Sequence, residues 1–191
     1  LNCPLKAVLG NVAEDPSTEE HLLRGTLAHA FFEAIGRGMD AEKAKLLVME
    51  AFERIQDVPQ WQLRFKLDEF SALLDRAREW ACQSEVNQEL VGVEIPVGVR
   101  VREGVRIGGY MDRLLRDEEG NYLVVDLKTG KNQPAKKEAE DHVQLMTYQL
   151  ALAHGAFDGH QVHDGEGMPR QGGVLVYPGA TTKKIGEIWQ S

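Results

Sequence analysis

Gly108-Gly109-Tyr110-Met111-Asp112-Arg113 and, one acidic turn later, Val124-Val125-Asp126-Leu127-Lys128-Thr129-Gly130 each carry an aspartate at or near the end of an apolar run. Runs at 90–97, 105–111 and 122–127 read as strands. The connection Asp117-Glu118-Glu119-Gly120-Asn121 is short and turn-forming, so the three predict an antiparallel meander. Side chains alternate along a strand, which puts Asp126 and Lys128 on one face. If the second and third strands pair through the acidic turn, Asp112 and Asp126 meet as well.

Two adjacent carboxylates repel, and one of them ordinarily takes up a proton. A divalent cation removes the conflict. Hard oxygen ligands suit Mg²⁺ or Mn²⁺, and Mg²⁺ characteristically takes one or two carboxylates together with waters and a substrate phosphate. Lys128 would then stabilise developing charge or orient a nucleophile. For a bare Asp-x-Lys tripeptide, a solvated charge pair at a strand end is the commoner explanation. Here Leu123-Val124-Val125 sets Asp126 at the edge of a core, and Ile107 to Met111 does the same for Asp112. Surface ion pairs do not ordinarily end two neighbouring buried strands together.

Upstream the period is helical. Ser17 with Glu20 forms a capping-box pattern ahead of Leu23, Leu27, Ala28, Phe31, Phe32, Ala34 and Ile35. Asp40 can cap a second helix with Ala44, Leu47, Val48, Ala51, Phe52 and Ile55 inward. Beyond Pro59 a third carries Trp61, Phe65, Phe70, Leu73, Leu74, Ala77 and Trp80. Downstream, an exposed loop with Lys131, Lys136 and Lys137 leads into a helix over Val143 to Leu152. A loop over 155–171 precedes strands at 173–177 and 184–189. The reading is α/β, with helices first, then a central mixed sheet with a helix packed on it. Residues 1–191 form one domain, read as a fragment of a longer protein because the chain opens on Leu1.

The 191 residues are 42% hydrophobic and 27% charged, with a net charge of −8. That argues against a protein that coats nucleic acid through bulk charge, though not against an enzyme with local cations and a metal site. No apolar run approaches the roughly 18 to 20 residues of a membrane span. Two cysteines, Cys3 and Cys82, make neither a disulfide framework nor a four-thiolate site. They suit a reducing cytoplasm. No phosphate-cradling G-x-x-x-x-G-K-[ST] loop is present, so ATP hydrolysis is not expected.

Four motifs occur in order: Arg24-Gly25-Thr26-Leu27-Ala28-His29, Gly109-Tyr110-Met111-Asp112-Arg113, Asp126-Leu127-Lys128-Thr129-Gly130, and Gln144-Leu145-Met146-Thr147-Tyr148-Gln149-Leu150-Ala151-Leu152. Together they resemble the RecB-like branch of the PD-(D/E)XK nuclease superfamily over residues 24 to 152. No proline precedes Asp112, as in many members of that branch. The resemblance implies a restriction-endonuclease-like αβββαβ core. It implies His29, Asp112, Asp126 and the backbone carbonyl of Leu127 as metal ligands and Lys128 as the catalytic lysine. Gln144 and Tyr148, one helical turn apart, would contact DNA or position Lys128.

The implied activity is Mg²⁺- or Mn²⁺-dependent hydrolysis of DNA, exonuclease ahead of endonuclease. The implied setting is the C-terminal module of a helicase–nuclease in DNA repair, with a helicase motor as partner. A stand-alone CRISPR-associated nuclease and a nuclease fold kept only for DNA binding or scaffolding are the alternatives. Cys3-Pro4 resembles the first iron–sulfur ligand of some relatives, but the C-terminal cysteines are missing from this stretch, so no cluster is expected within it. Glu33, four residues after His29, reads equally as a partner behind the ligands or as a solvated helix residue. For Glu94 an ordinary polar strand position ranks above approach to the metal. His154, His160 and His163 fit no metal-binding spacing.

Overall fold

The computed structural model describes residues 16–103, 105–133, 142–153, 156–157, 160–161, 170–180 and 184–190. Three helices come first: α1 (Pro16–Gly36), α2 (Ala41–Arg54) and α3 (Gln60–Ser84). Asp40 caps α2 as the sequence predicts, its Oδ1 accepting from Lys43 N at 2.9 Å, and Pro59 stands at the start of α3. Ser17 does not stand at the N-cap position of α1. Pro16 is already helical, so Ser17 lies inside the first turn. Glu20 instead meets the ammonium of Lys66 on α3 at 2.6 Å, a full charge pair in place of a backbone amide.

There follow β1 (Glu89–Arg102), β2 (Val105–Arg116), β3 (Tyr122–Leu127), α4 (Val143–Ala153), β4 (Ala156–Phe157), β5 (His160–Gln161), β6 (Arg170–Tyr177) and β7 (Gly186–Gln190). The strands form one sheet in the order β5-β4-β1-β2-β3-β6-β7. β1, β2 and β3 make the expected antiparallel meander. β6 returns through α4 to lie parallel to β3, and β7 is antiparallel to β6. The sheet is therefore mixed and the class α/β, as expected. Two differences appear. β2 continues past Asp112, which sits within the strand rather than at its end. Part of the stretch read as a loop holds the two-residue strands β4 and β5. Cys3, Lys136, Lys137, His154 and His163 lie outside the described residues.

Both faces of the sheet are covered. Leu123, Val125 and Leu127 of β3, with Val174 and Val176 of β6, pack beneath the three N-terminal helices. Val124, Leu175 and Tyr177 point the other way, against Leu145, Tyr148, Ala151 and Leu152 of α4. Double burial is why β3 reads as a continuous apolar run. The helical stripes are shorter than their periodicity suggests. Trp61 is 78% exposed, and Phe65, Leu23, Leu47 and Ile55 are also exposed. Spacing identifies a face but not where its partner ends, and on α3 the buried part begins at Phe70, with Leu67 half-buried against it.

One charge is enclosed with these apolar residues. Arg113 is 0% exposed. Its guanidinium lies 4.1 Å from the centre of the Phe32 ring, donates to the Phe32 carbonyl at 3.1 Å, and pairs with Glu85 just past the end of α3. Gly36 makes room for this arrangement: a Cβ there would stand 3.0 Å from Arg113 Nη2 and 2.4 Å from Val93 Cγ1. Arg113 thus ties β2 to α1 and α3. Arg113→Ala removes the cation–π contact and leaves a cavity, so a loss of about 2–4 kcal/mol is expected in urea unfolding. Arg113→Met fills the same space and should recover most of it.

Candidate metal centre and active-site cleft

The first turn of contact between α1 and β2 sets His29 Nδ1 3.2 Å from Asp112 Oδ2. The backbone N–H of Leu127 donates to the same oxygen at 2.7 Å. Asp112 is therefore held from two elements, by α1 and by β3. Glu94 of β1 completes a tight trio: one ligand atom each from His29, Glu94 and Asp112 lie within 4.8 Å of one another. Asp126 stands beside this trio rather than within it.

A local defect in the β1–β2 hairpin makes the trio possible. The register passes from Val93↔Arg113 to Ile95↔Met111, so Glu94 falls across from Asp112. Glu94 has φ 49°, a left-handed conformation that an L-residue avoids. It reverses the alternation of side chains. Val93 faces Gly36 of α1, whereas Ile95, two residues on, packs in the α4-side core. The same reversal separates Met111, in the α4-side core, from Arg113 against α1. The kink turns the acidic pair out of the sheet and toward α1, as bulges commonly do beside functional sites.

Asp126 is 1% exposed. Lys128 Nζ lies 2.6 Å from its Oδ2, yet off the direction of a hydrogen bond, so this buried oxygen has no hydrogen-bond partner. Lys128 is aimed by a relay from α4. Its ammonium donates to Gln144 Oε1 at 2.7 Å, and Gln144 Nε2 donates to Tyr148 Oη at 2.8 Å. An ammonium can only donate, so Lys128 fixes Oε1 as the end of the amide that faces it and leaves Nε2 for Tyr148. Gly109 lets Tyr148 approach β2, since a Cβ there would be 3.3 Å from its ring. The structure thus brings His29, Asp112, Asp126, Leu127, Lys128, Gln144 and Tyr148 to one place.

Charge is poorly compensated here. Burial, then the neighbouring charge of Asp112, push Asp126 up to about 6, against the opposing pull of Lys128. Glu94 is raised by burial, Asp112 and Glu33. Burial alone would lower the His29 imidazole, but its hydrogen bond to Asp112 and the three surrounding carboxylates hold it above its ordinary value. Burial is the larger cause for the two carboxylates, and the like charge beside them adds to it. An orphaned carboxylate oxygen, three acidic groups and an imidazole are a donor set that fits a divalent cation.

The trio opens into a cleft of about 610 Å³ between α1 and the β1–β2 hairpin. Glu33 lines it and is held by Arg37 at 2.8 Å. Thr129 lines it too. The model of the PD-(D/E)XK nuclease superfamily matches residues 1–188. The chain belongs to that superfamily. Membership implies a nuclease, and nucleases of this superfamily use divalent metals and bind DNA. No curated protein matches the chain.

Glu94, which the sequence ranks as an ordinary polar strand position ahead of an approach to the metal, lies in the trio with His29 and Asp112. A usable signal was present: centring the hairpin turn near Glu103 sets Glu94 opposite Asp112. The reversed alternation that aims it inward left no sequence mark, because Glu is an unusual choice for a left-handed position.

Two outcomes follow from this electrostatics. A carboxylate whose folded pKa is raised supports folding below its unfolded value and loses that support as pH climbs through the folded value. In chelator, Asp126→Asn is expected to be more stable than the unaltered chain at pH 8, by the order of 1–3 kcal/mol, with the gap closing by pH 4. Denaturant unfolding at the two pH values checks this. Separately, Glu94→Gly should be about 1 kcal/mol more stable than Glu94→Ala, because both lose the carboxylate but only glycine relieves the left-handed backbone.

Proposed function

We propose that this chain is a cytoplasmic, Mg²⁺- or Mn²⁺-dependent deoxyribonuclease of the RecB-like branch. The observation that carries the reading is the 1% exposed Asp126 carboxylate, ion-paired with Lys128 at 2.6 Å and set beside the His29–Glu94–Asp112 trio. His29, Glu94, Asp112, Asp126 and the Leu127 carbonyl would hold the ion. When bound, the ion would supply a Lewis acid for a phosphoryl oxygen and lower the pKa of a coordinated water.

The chain's own residues have separable tasks. His29 must give up its proton to serve as a ligand, so the raised imidazole makes loading weaker in acid. Lys128 presents an ammonium 2.6 Å from Asp126, where it would stabilise charge that develops on a phosphodiester under attack. Gln144 and Tyr148 restrict that ammonium to one direction, which lowers the cost of orienting it during reaction. Leu127 N–H holds Asp112 still. The finer assignment, exonuclease action in DNA repair alongside a helicase motor, rests on the four motifs and their order.

Cleavage of linear, circular and single-stranded DNA should require Mn²⁺ or Mg²⁺ and stop in EDTA. Lys128→Ala should lower kcat about 10²- to 10³-fold, the usual effect of removing one transition-state donor, with metal affinity little changed. Metal-dependent cleavage that survives Lys128→Ala undiminished would contradict the assigned site.

A further inference from the structure

The cleft has a second character that the metal chemistry does not use. On β2, Tyr110 is 61% exposed and lies two residues before Asp112 on the same side of the strand. On α1, Leu22 is 66% exposed and lies seven residues, about two turns, before His29. Both line the same cleft as the ligand trio. No hydrogen bond from the Tyr110 hydroxyl is formed among the described residues. An exposed aromatic and an exposed Leu on opposite walls of one polar cleft are not a core feature.

Their position along the cleft follows from the contacts between the two walls. His29 meets Asp112, while Phe32 and Gly36, further along α1, meet Arg113. The helix and the strand therefore advance in the same sense. Leu22 and Tyr110 both fall upstream of the ligands, on the same side of them. By residue rise, Leu22 is about 10 Å from His29 along the helix and Tyr110 about 7 Å from Asp112 along the strand.

We infer that Tyr110 and Leu22 form a nucleobase-stacking subsite, which takes the base of an unpaired nucleotide next to the phosphate held at the trio. This inference rests on the nuclease reading above and names the form of DNA that the cleft takes. An aromatic face accepts any base, so the subsite is sequence-tolerant. A base still paired in a duplex presents only its edge to a groove and has no free face for Tyr110. The subsite therefore selects single strands, frayed ends or flaps over intact duplex. Tyr110 acts on binding and register; it is not a catalytic residue.

The test compares the unaltered chain with Tyr110→Ala, Tyr110→Phe and Leu22→Ala, in Mn²⁺, on a single-stranded oligonucleotide and on the same length of tetrahydrofuran abasic units. KM and kcat are read on both, with melting temperature and Mn²⁺ affinity as controls. Tyr110→Ala is expected to raise KM on the base-bearing strand roughly 5- to 150-fold, the range for losing one aromatic stacking contact, at nearly constant kcat. Leu22→Ala should act in the same direction, and Tyr110→Phe should recover most of the loss. On the abasic strand the unaltered chain should fall to the level of Tyr110→Ala. Cleavage by the unaltered chain with KM unmoved in Tyr110→Ala, or moved equally on both strands, overturns the subsite and leaves the nuclease reading intact. Absence of cleavage of every DNA by the unaltered chain, with metal bound, overturns both.

Discussion

The rest of the site depends on negative charge crowded at the floor of a cleft, with Asp126 almost fully buried beside it. Asp112 accepts from His29 and from the Leu127 amide, so its position is fixed by two other elements. Asp126, beneath it at the end of a doubly buried strand, pairs with the ammonium of Lys128 and feels the charge of Asp112. Glu94 arrives from a third strand in a conformation that itself costs free energy. A fold does not gain stability from such an arrangement. Burying carboxylates side by side opposes folding unless a proton or a cation joins them.

The scaffold holds this cluster open from the outside. Arg113, one residue past Asp112, reaches the Phe32 carbonyl on α1 and Glu85 after α3. It pins the helix that carries His29 to the strand that carries Asp112. On the opposite face, α4 presents Gln144 and Tyr148 one turn apart, and Gly109 allows their close approach. The two apolar cores, one on each side of the sheet, thus each deliver part of the polar site. Metal ligands come mainly from the three-helix side, and the groups that aim Lys128 come from the α4 side.

Much of this was legible in the sequence, for physical reasons. Asp126 and Lys128 share a face because strand alternation is strict there, and the apolar run before them marks burial. Asp40 was legible as a cap because its carboxylate sits three residues before the amide it accepts from. His29, Gln144 and Tyr148 were reached through the motif order, since nothing in helical spacing separates a ligand from a core or surface residue. Glu94 was undervalued because its role depends on one left-handed residue that reverses the alternation of both hairpin strands. Trp61 and Phe65 were read onto the apolar face of α3 yet are exposed, because periodicity records a face and not its extent. The pairing of β3 with β6 depends on a crossover through α4, and no local pattern encodes it.

The central claim is that the crowded carboxylates and His29 form a divalent-metal site. Calorimetric titration of Mn²⁺ into the chain at pH 6 and pH 8, in buffers of different ionisation enthalpy, tests it most directly. With Asp126 at about 6 and His29 raised, binding should release protons at pH 6 and release fewer at pH 8, with affinity higher at pH 8. Absence of binding at pH 8, or binding that releases no more protons at pH 6 than at pH 8, would contradict the account.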